Sequence, residues 1–135
     1  MKEDFENFLI RREFAAQAYS NGDPEPLRTM TAETGMATFF HHLTGYTEGA
    51  KAVMATYTEG AKVFEQGGWT RLEIKDQGSD DALAFWTGFQ YADVSMVGAP
   101  CRTRLKVNVT EIFRHDGTTW RLVHRHASLP AAHEG

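Results

Sequence analysis

Cysteine is nearly absent: Cys101 is the single one among 135 residues, so no internal disulfide can staple the chain. A lone thiol fits a reducing compartment, and we expect a cytoplasmic protein in which Cys101 is a bystander in a Gly-Ala-Pro turn. Long apolar runs are missing too. The longest, Ala82 to Trp86, has five residues, against the roughly 18 that a membrane-spanning helix requires. Met1-Lys2-Glu3-Asp4 carries acids where a secretory leader would have its basic region, and no apolar stretch follows. Basic clusters are equally scarce. With a net charge of −4, and with Arg102, Arg104 and Lys106 spaced two apart as one solvated strand face, nothing answers a phosphate backbone. We therefore expect neither a nucleic-acid nor a membrane partner. The sequence also lacks a Gly-x-Ser-x-Gly nucleophile turn and a glycine-rich phosphate loop.

What is present reads as one folded domain covering residues 1–135, with a loose tail after Pro130, because a chain of this length suits one hydrophobic core. From Asp4 to Ser20, residues Phe5, Phe8, Leu9, Ala15, Ala16 and Tyr19 share one face at helical spacing, and Asn21-Gly22 supplies the stop. Ile10 and Phe14 lie on a different face, which predicts contact with the sheet edge or another subunit. Asp23-Pro24 opens a short helix through Met30, and Ala37 to His42 reads as a brief strand. Thr47 is the expected cap of a third helix burying Ala50, Val53, Met54, Tyr57, Ala61 and Phe64, with Gly67-Gly68 as its end. Four β segments follow: Trp69 to Lys75, Ala82 to Val97, Arg102 to His115 and Thr119 to Ser128. Helices first and an antiparallel meander after them define an α+β domain.

The last hairpin carries a family resemblance. Val109-Thr110-Glu111-Ile112-Phe113-Arg114, then Asp116-Gly117, then Trp120 to Ala127 resembles the SnoaL-like group of the nuclear transport factor 2-like (ketosteroid isomerase-like) superfamily. Gly22-Asp23-Pro24 and Gly45-Tyr46-Thr47-Glu48-Gly49 add to it, and the order of elements fits over nearly the whole chain. The resemblance implies a cystatin-like cone, a curved antiparallel sheet wrapped around the N-terminal helices. It also implies a small-molecule pocket at the open end and a homodimer. Relatives include isomerases, cyclases, dehydratases and non-catalytic assembly domains, so the resemblance alone selects no reaction. Where relatives often carry arginine, this chain has Asn108.

Alternation along a strand puts Trp120, Leu122, His124 and His126 on one face, with Arg121, Val123 and Arg125 on the other. A two-residue turn at Asp116-Gly117 sets Phe113 opposite Trp120, Glu111 opposite Leu122 and Val107 opposite His126, bringing Glu111 diagonally near His124. A register change of one residue would reverse this. We take His124 as the candidate catalytic base and Glu111 as the residue that orients it, with His126 as a further pocket group. Trp86, Tyr91, Phe39, Met54, Tyr57 and Tyr19 are the expected pocket lining. Tyr19 and Tyr57 are the better candidates for donating to a ligand oxygen. His124 and His126 could also ligate a metal, but spacing selects no third ligand among His41, His42 and Glu111, so we expect neither metal nor cofactor.

The sequence thus points to a pocket for an apolar or carbonyl-containing compound. Cofactor-free proton transfer is the leading chemistry, and a non-catalytic ligand-binding or dimerisation module is the alternative. What divides them is whether His124 faces an enclosed cavity within reach of a carboxylate or phenol.

Overall fold

A computed structural model describes residues 4–42 and 45–130. Helix α1 (Phe5–Tyr19) starts at Asp4, whose side chain accepts from the Glu6 N–H, and buries Phe5, Phe8, Leu9, Ala15 and Ala16 as its spacing predicts. Helix α2 (Glu25–Thr29) follows Pro24, with the Asp23 carboxylate accepting from the Glu25 N–H. Strands β1 (Thr38–His41) and β2 (Gly45–Glu48) then precede helix α3 (Ala50–Ala61). Strands β3 (Phe64–Ser79), β4 (Leu83–Met96), β5 (Thr103–His115) and β6 (Trp120–Ser128) complete the chain. No helix among the described residues is long and apolar enough to cross a membrane.

Three local expectations change. Thr47 lies in β2 opposite Phe39, and α3 opens instead after Gly49, whose φ of 91° makes the corner. Phe64 begins β3 rather than ending α3, because pairing to β4 takes over once the Val97 N–H bonds to the Val63 carbonyl. Gly67 and Gly68 therefore fall inside β3, at a register shift between Glu65 and Trp69. Ile10 and Phe14 meet no sheet edge and stay about two-thirds exposed.

The six strands form one sheet in the order β2-β1-β6-β5-β4-β3, antiparallel throughout except for the parallel pair β1 and β6. One face is covered by the helices. There Phe8 packs against Phe5 and Phe113, and Phe5 against Phe113 and Trp120, with ring centroids 5.1–6.0 Å apart.

Strand β3 is a sheet edge, and α1 satisfies its outward backbone. Glu13 and Gln17 on the helix and Asn21 in the turn just past its end stand four apart and meet peptide groups along the strand. The Glu13 carboxylate accepts from Leu72 N–H, the Gln17 amide bridges Thr70 N–H and the Gly68 carbonyl, and Asn21 bonds both Gly67 and Gly68. A helical polar stripe thus takes the part that a seventh strand would otherwise play, which removes a template for edge-to-edge pairing.

The last hairpin has a different register from the expected one. His115 pairs with Trp120 across a loop of Asp116 to Thr119, because the Asp116 carboxylate accepts from both Thr118 and Thr119 N–H groups. That change alone keeps Trp120 and Leu122 on the inner face with Phe113. A bulge then intervenes: Phe113 pairs with Leu122 but Ile112 pairs with His124, leaving Val123 as the extra residue. A bulge shifts side-chain parity by one. Beyond Val123, Arg125 and Ala127 therefore turn inward, while His124 and His126 turn outward.

The end of α1 approaches the sheet closely at Gly68, where an added Cβ would collide with the Ser20 carbonyl oxygen, itself part of the backbone. Gly68→Ala should destabilise the fold by about 1–3 kcal/mol, the usual range for overpacking. Urea unfolding checks this, with the midpoint falling and the slope unchanged; an unmoved midpoint would show that this contact gives way freely.

Candidate functional site

Behind the sheet lies a buried ionic cluster. Glu111, on the inner face of β5, is fully buried and opposite Trp86 on β4 and Arg125 on β6. Arg12 reaches it from α1. Its guanidinium donates twice, Nε to Oε1 at 2.9 Å and Nη2 to Oε2 at 2.8 Å, while Trp86 Nε1 donates to Oε1 at 2.7 Å. Arg125 Nη1 donates to Oε2 at 2.6 Å, and its Nη2 bonds the Gln90 side-chain oxygen at 2.8 Å. Glu111 thus accepts four hydrogen bonds, about the full capacity of a carboxylate.

Burial alone would raise the Glu111 pKa, but the charges of Arg12 and Arg125 and their hydrogen bonds outweigh it and hold the carboxyl at about 2. Burial likewise opposes the Arg12 charge, yet Glu111 raises its pKa above the ordinary value. The cluster is ionised at neutral pH, with two cations to one anion.

Beside the cluster is a cleft of about 510 Å³ lined by Tyr19, Phe39, His41, Thr47, Ala55, Thr56, Glu59 and Gly60. The Tyr57 ring packs 4.8 Å from Phe39, one layer behind the cleft wall. Behind the lining, two buried polar atoms, Tyr57 Oη and Arg12 Nη1, have no hydrogen-bond partner among the described residues. Burial pushes Tyr19 up to about 12, partly countered by Arg125 and Arg12, and raises Tyr57 as well. Burial, then His42 and then Arg125, lower His41 to about 4. Both phenols and this imidazole are therefore neutral near pH 7, where a phenol donates a proton and a neutral imidazole can accept one.

The residues singled out from sequence divide between the two faces. Tyr19 and Phe39 line the cleft, Tyr57 backs it, and Trp86 and Glu111 belong to the cluster beneath. Met54 is half-buried on α3 and outside the lining. Tyr91 is on the outer face, its hydroxyl toward Glu73 and its ring 4.4 Å from the Arg71 guanidinium carbon. His124 and His126 are outside as well. His124 Nδ1 lies 2.7 Å from Thr38 Oγ1, and His126 stacks on Phe40 at 5.3 Å. The bulge therefore separates His124 from Glu111, which the sequence reading had paired. Burial lowers the His124 pKa, as does His126. Among the described residues no three His, Cys, Asp or Glu side chains gather as metal ligands.

Sequence reasoning missed Arg12, Gln90 and Arg125, and assigned His41 only a conceivable metal role. Arg12 had a signal: it interrupts the apolar stripe of α1 between Phe8 and Ala15, where a charge is out of pattern unless paired.

A curved mixed sheet enclosing a polar cluster and an adjacent aromatic cleft is the architecture of the nuclear transport factor 2-like superfamily. The chain belongs to its SnoaL-like domain family, whose profile matches residues 13–132. Solved structures of the same fold include a nuclear transport factor 2-like protein from Salmonella enterica serovar Typhimurium, 16% identical, with a TM-score of 0.74 over 94% of this chain and 91% of that one. A proposed dehydratase of that family from Streptomyces avermitilis is 21% identical, with a TM-score of 0.71 over 92% and 93%. A proposed calcium/calmodulin-dependent protein kinase type II association domain from Thiobacillus denitrificans is 17% identical, with a TM-score of 0.69 over 88% and 90%. At these identities the likeness shows the fold alone. No curated protein matches the chain.

The cluster makes Glu111 the most consequential carboxylate in the fold. Glu111→Gln leaves two arginines without their anion and should destabilise the protein by about 3–5 kcal/mol, as breaking a buried ion pair does. A depressed carboxyl stabilises the fold above its ordinary pKa of 4.5 and loses that contribution as pH falls toward its folded value of about 2. Denaturant midpoints measured at neutral pH and across that acid window should fall steeply for the wild type and more shallowly for Glu111→Gln; parallel profiles would remove Glu111 from the acid response.

Proposed function

We propose that the protein is a small-molecule-pocket domain that receives a compound with an apolar body and a carbonyl oxygen, and that its chemistry is cofactor-free proton transfer next to that carbonyl. The observation that carries this reading is the Tyr57 hydroxyl and the Arg12 Nη1, both buried and unpartnered behind an aromatic cleft. Such donors suit an oxygen that gains negative charge, because preorganised dipoles and cations in a dry site stabilise an enolate strongly. The surplus positive charge of the Arg12, Glu111 and Arg125 cluster acts in the same direction.

His41 is the residue best suited to take the proton, since it lines the cleft and is neutral near pH 7. The pair His124 and Glu111 is poorly suited. They are on opposite faces, and Glu111 has its oxygens engaged by four donors. Glu111 then acts by holding both arginines in position. One observation favours the non-catalytic alternative: a base with a pKa of about 4 accepts protons weakly.

The reading includes a cytoplasmic homodimer. The outer sheet face presents Phe40 and Tyr46, 42% and 48% exposed, with Phe89 beneath Lys106 and Tyr91 beneath Arg71. Rings and cations on one face can meet their like across a two-fold axis, which suits a second copy of the chain.

Two measurements test these points. Hydrogen-to-deuterium exchange at the α-carbon of small aryl ketones, followed by proton NMR in D2O, should be accelerated by the protein. His41→Gln should slow it by about a hundredfold, the lower end of what general-base catalysis contributes. No acceleration with any ketone, alongside measurable binding, would leave the non-catalytic reading. Light scattering should give twice the chain mass of 15.2 kDa, with Phe40→Asp moving it toward the monomer; a wild-type mass of 15.2 kDa would exclude the dimer.

A further inference from the structure

We infer that the compound taken by this cleft is an acid, an aryl or alkyl carboxylate whose ionised group approaches Arg125 from the side of the Tyr19 phenol. The inference rests on the pocket reading above and adds the charge of the ligand to it.

Its basis is the electrostatic imbalance of the interior. Arg12 and Arg125 face a single carboxylate, Glu111, and all three side chains are largely removed from water, with exposures of 3%, 13% and 0%. A buried charge without a counter-charge is strongly unfavourable, so an arrangement of this kind gains when an anion completes it.

Among the described residues no neighbour supplies that anion. Gln90 and Trp86 are uncharged, and Tyr19 and Tyr57 hold their protons because burial raises both phenols. His41 and His42 are shifted toward the neutral form. Glu59, at the rim of the cleft, extends outward to Lys62 Nζ at 2.9 Å and is 72% exposed. Glu13 accepts from the Leu72 N–H on the β3 side.

Of the two arginines, Arg125 is the more accessible. Of the five N–H donors a guanidinium carries, the structure engages one with Glu111 and one with Gln90, which leaves donors for a ligand oxygen. Its charge acts on Tyr19, Tyr57 and His41. Tyr19, His41 and Phe39 line the cleft, and Arg125 stands beside Phe39 across β1 and β6, just behind that wall, so a carboxylate entering there approaches a cation and the Tyr19 phenol with the Phe39 ring against its apolar body. Charge-assisted contacts of this kind are roughly twice as strong as neutral ones.

The test uses three probes of one shape, phenylacetate, phenylacetamide and phenylacetone, titrated calorimetrically into the intact wild-type protein near pH 7. Phenylacetate should bind about tenfold or more tightly than either neutral probe. Arg125→Gln should abolish that preference, and Arg125→Lys, which keeps the charge, should restore part of it. Because the wild-type comparison needs no variant, a misfolded substitution would not obscure the result. Equal affinity for all three probes would overturn the acid assignment and leave the pocket intact, whereas no binding of any probe would overturn both.

Discussion

Everything in the interior is organised around one carboxylate that accepts four hydrogen bonds. Glu111 receives two from α1 through Arg12, one from β4 through Trp86 and one from β6 through Arg125. Three elements, α1, β4 and β6, therefore converge on one side chain of a fourth, β5. An ion cluster of this kind is a weak source of net stability, because desolvating three charges offsets most of their attraction. What it does supply is geometry. Each donor has one orientation that satisfies the carboxylate, so the tilt of α1 over the sheet and the inward turn of Arg125 are mutually constrained.

The inward turn of Arg125 depends on a single extra residue. Without the bulge at Val123, the alternation that puts Trp120 and Leu122 inside would carry His124 and His126 inside as well, and Arg125 outside. The interior would then hold imidazoles around a carboxylate, a base-like site. With the bulge it holds guanidinium groups around a carboxylate, an anion-receiving site. The same backbone irregularity moves the histidines to the outer face, against Phe40 and Thr38. One residue of register thus decides which chemistry the strand presents to each side of the sheet.

This explains which parts of the molecule were legible in the sequence. Helix α1, the strand-rich second half and the family resemblance all rest on periodicity or local motif, and these survive small errors of register. Side-chain facing does not. Parity could have rejected Tyr91, since Trp86 and Tyr91 stand five apart in a continuous strand and must face opposite sides. Arg12 was also within reach, as the charge inside the apolar stripe of α1. Nothing local marks Val123 as a bulge, because its pairing is fixed by a loop four residues long at one end and by β1 and β5 at the other. Strand β2 was missed for a similar reason. Gly45 to Glu48 is too short and polar to signal a strand alone, and it pairs only because β1 lies beside it.

The position of the cluster also bears on why the interior is polar at all. A cone whose only task was to fold would gain by filling this space with aliphatic side chains, since replacing a buried ion cluster by well-packed apolar residues is commonly neutral or stabilising. The neighbouring part of the same interior is filled with apolar rings instead, Phe5, Phe8, Phe113 and Trp120 in contact, with His115 edge-on to the indole. The buried charges gather around Glu111, with the unpartnered Tyr57 hydroxyl and Arg12 Nη1 near them, while a third unpartnered atom, His115 Nε2, belongs to a ring packed on Trp120. A polar group retained where packing alone would exclude it calls for a ligand-facing explanation, and the excess of one positive charge gives that explanation a sign. The aromatic cluster supplies stability and the ionic cluster supplies selectivity, and the two adjoin, with Phe113 two residues from Glu111 on β5 and Phe8 one turn from Arg12 on α1.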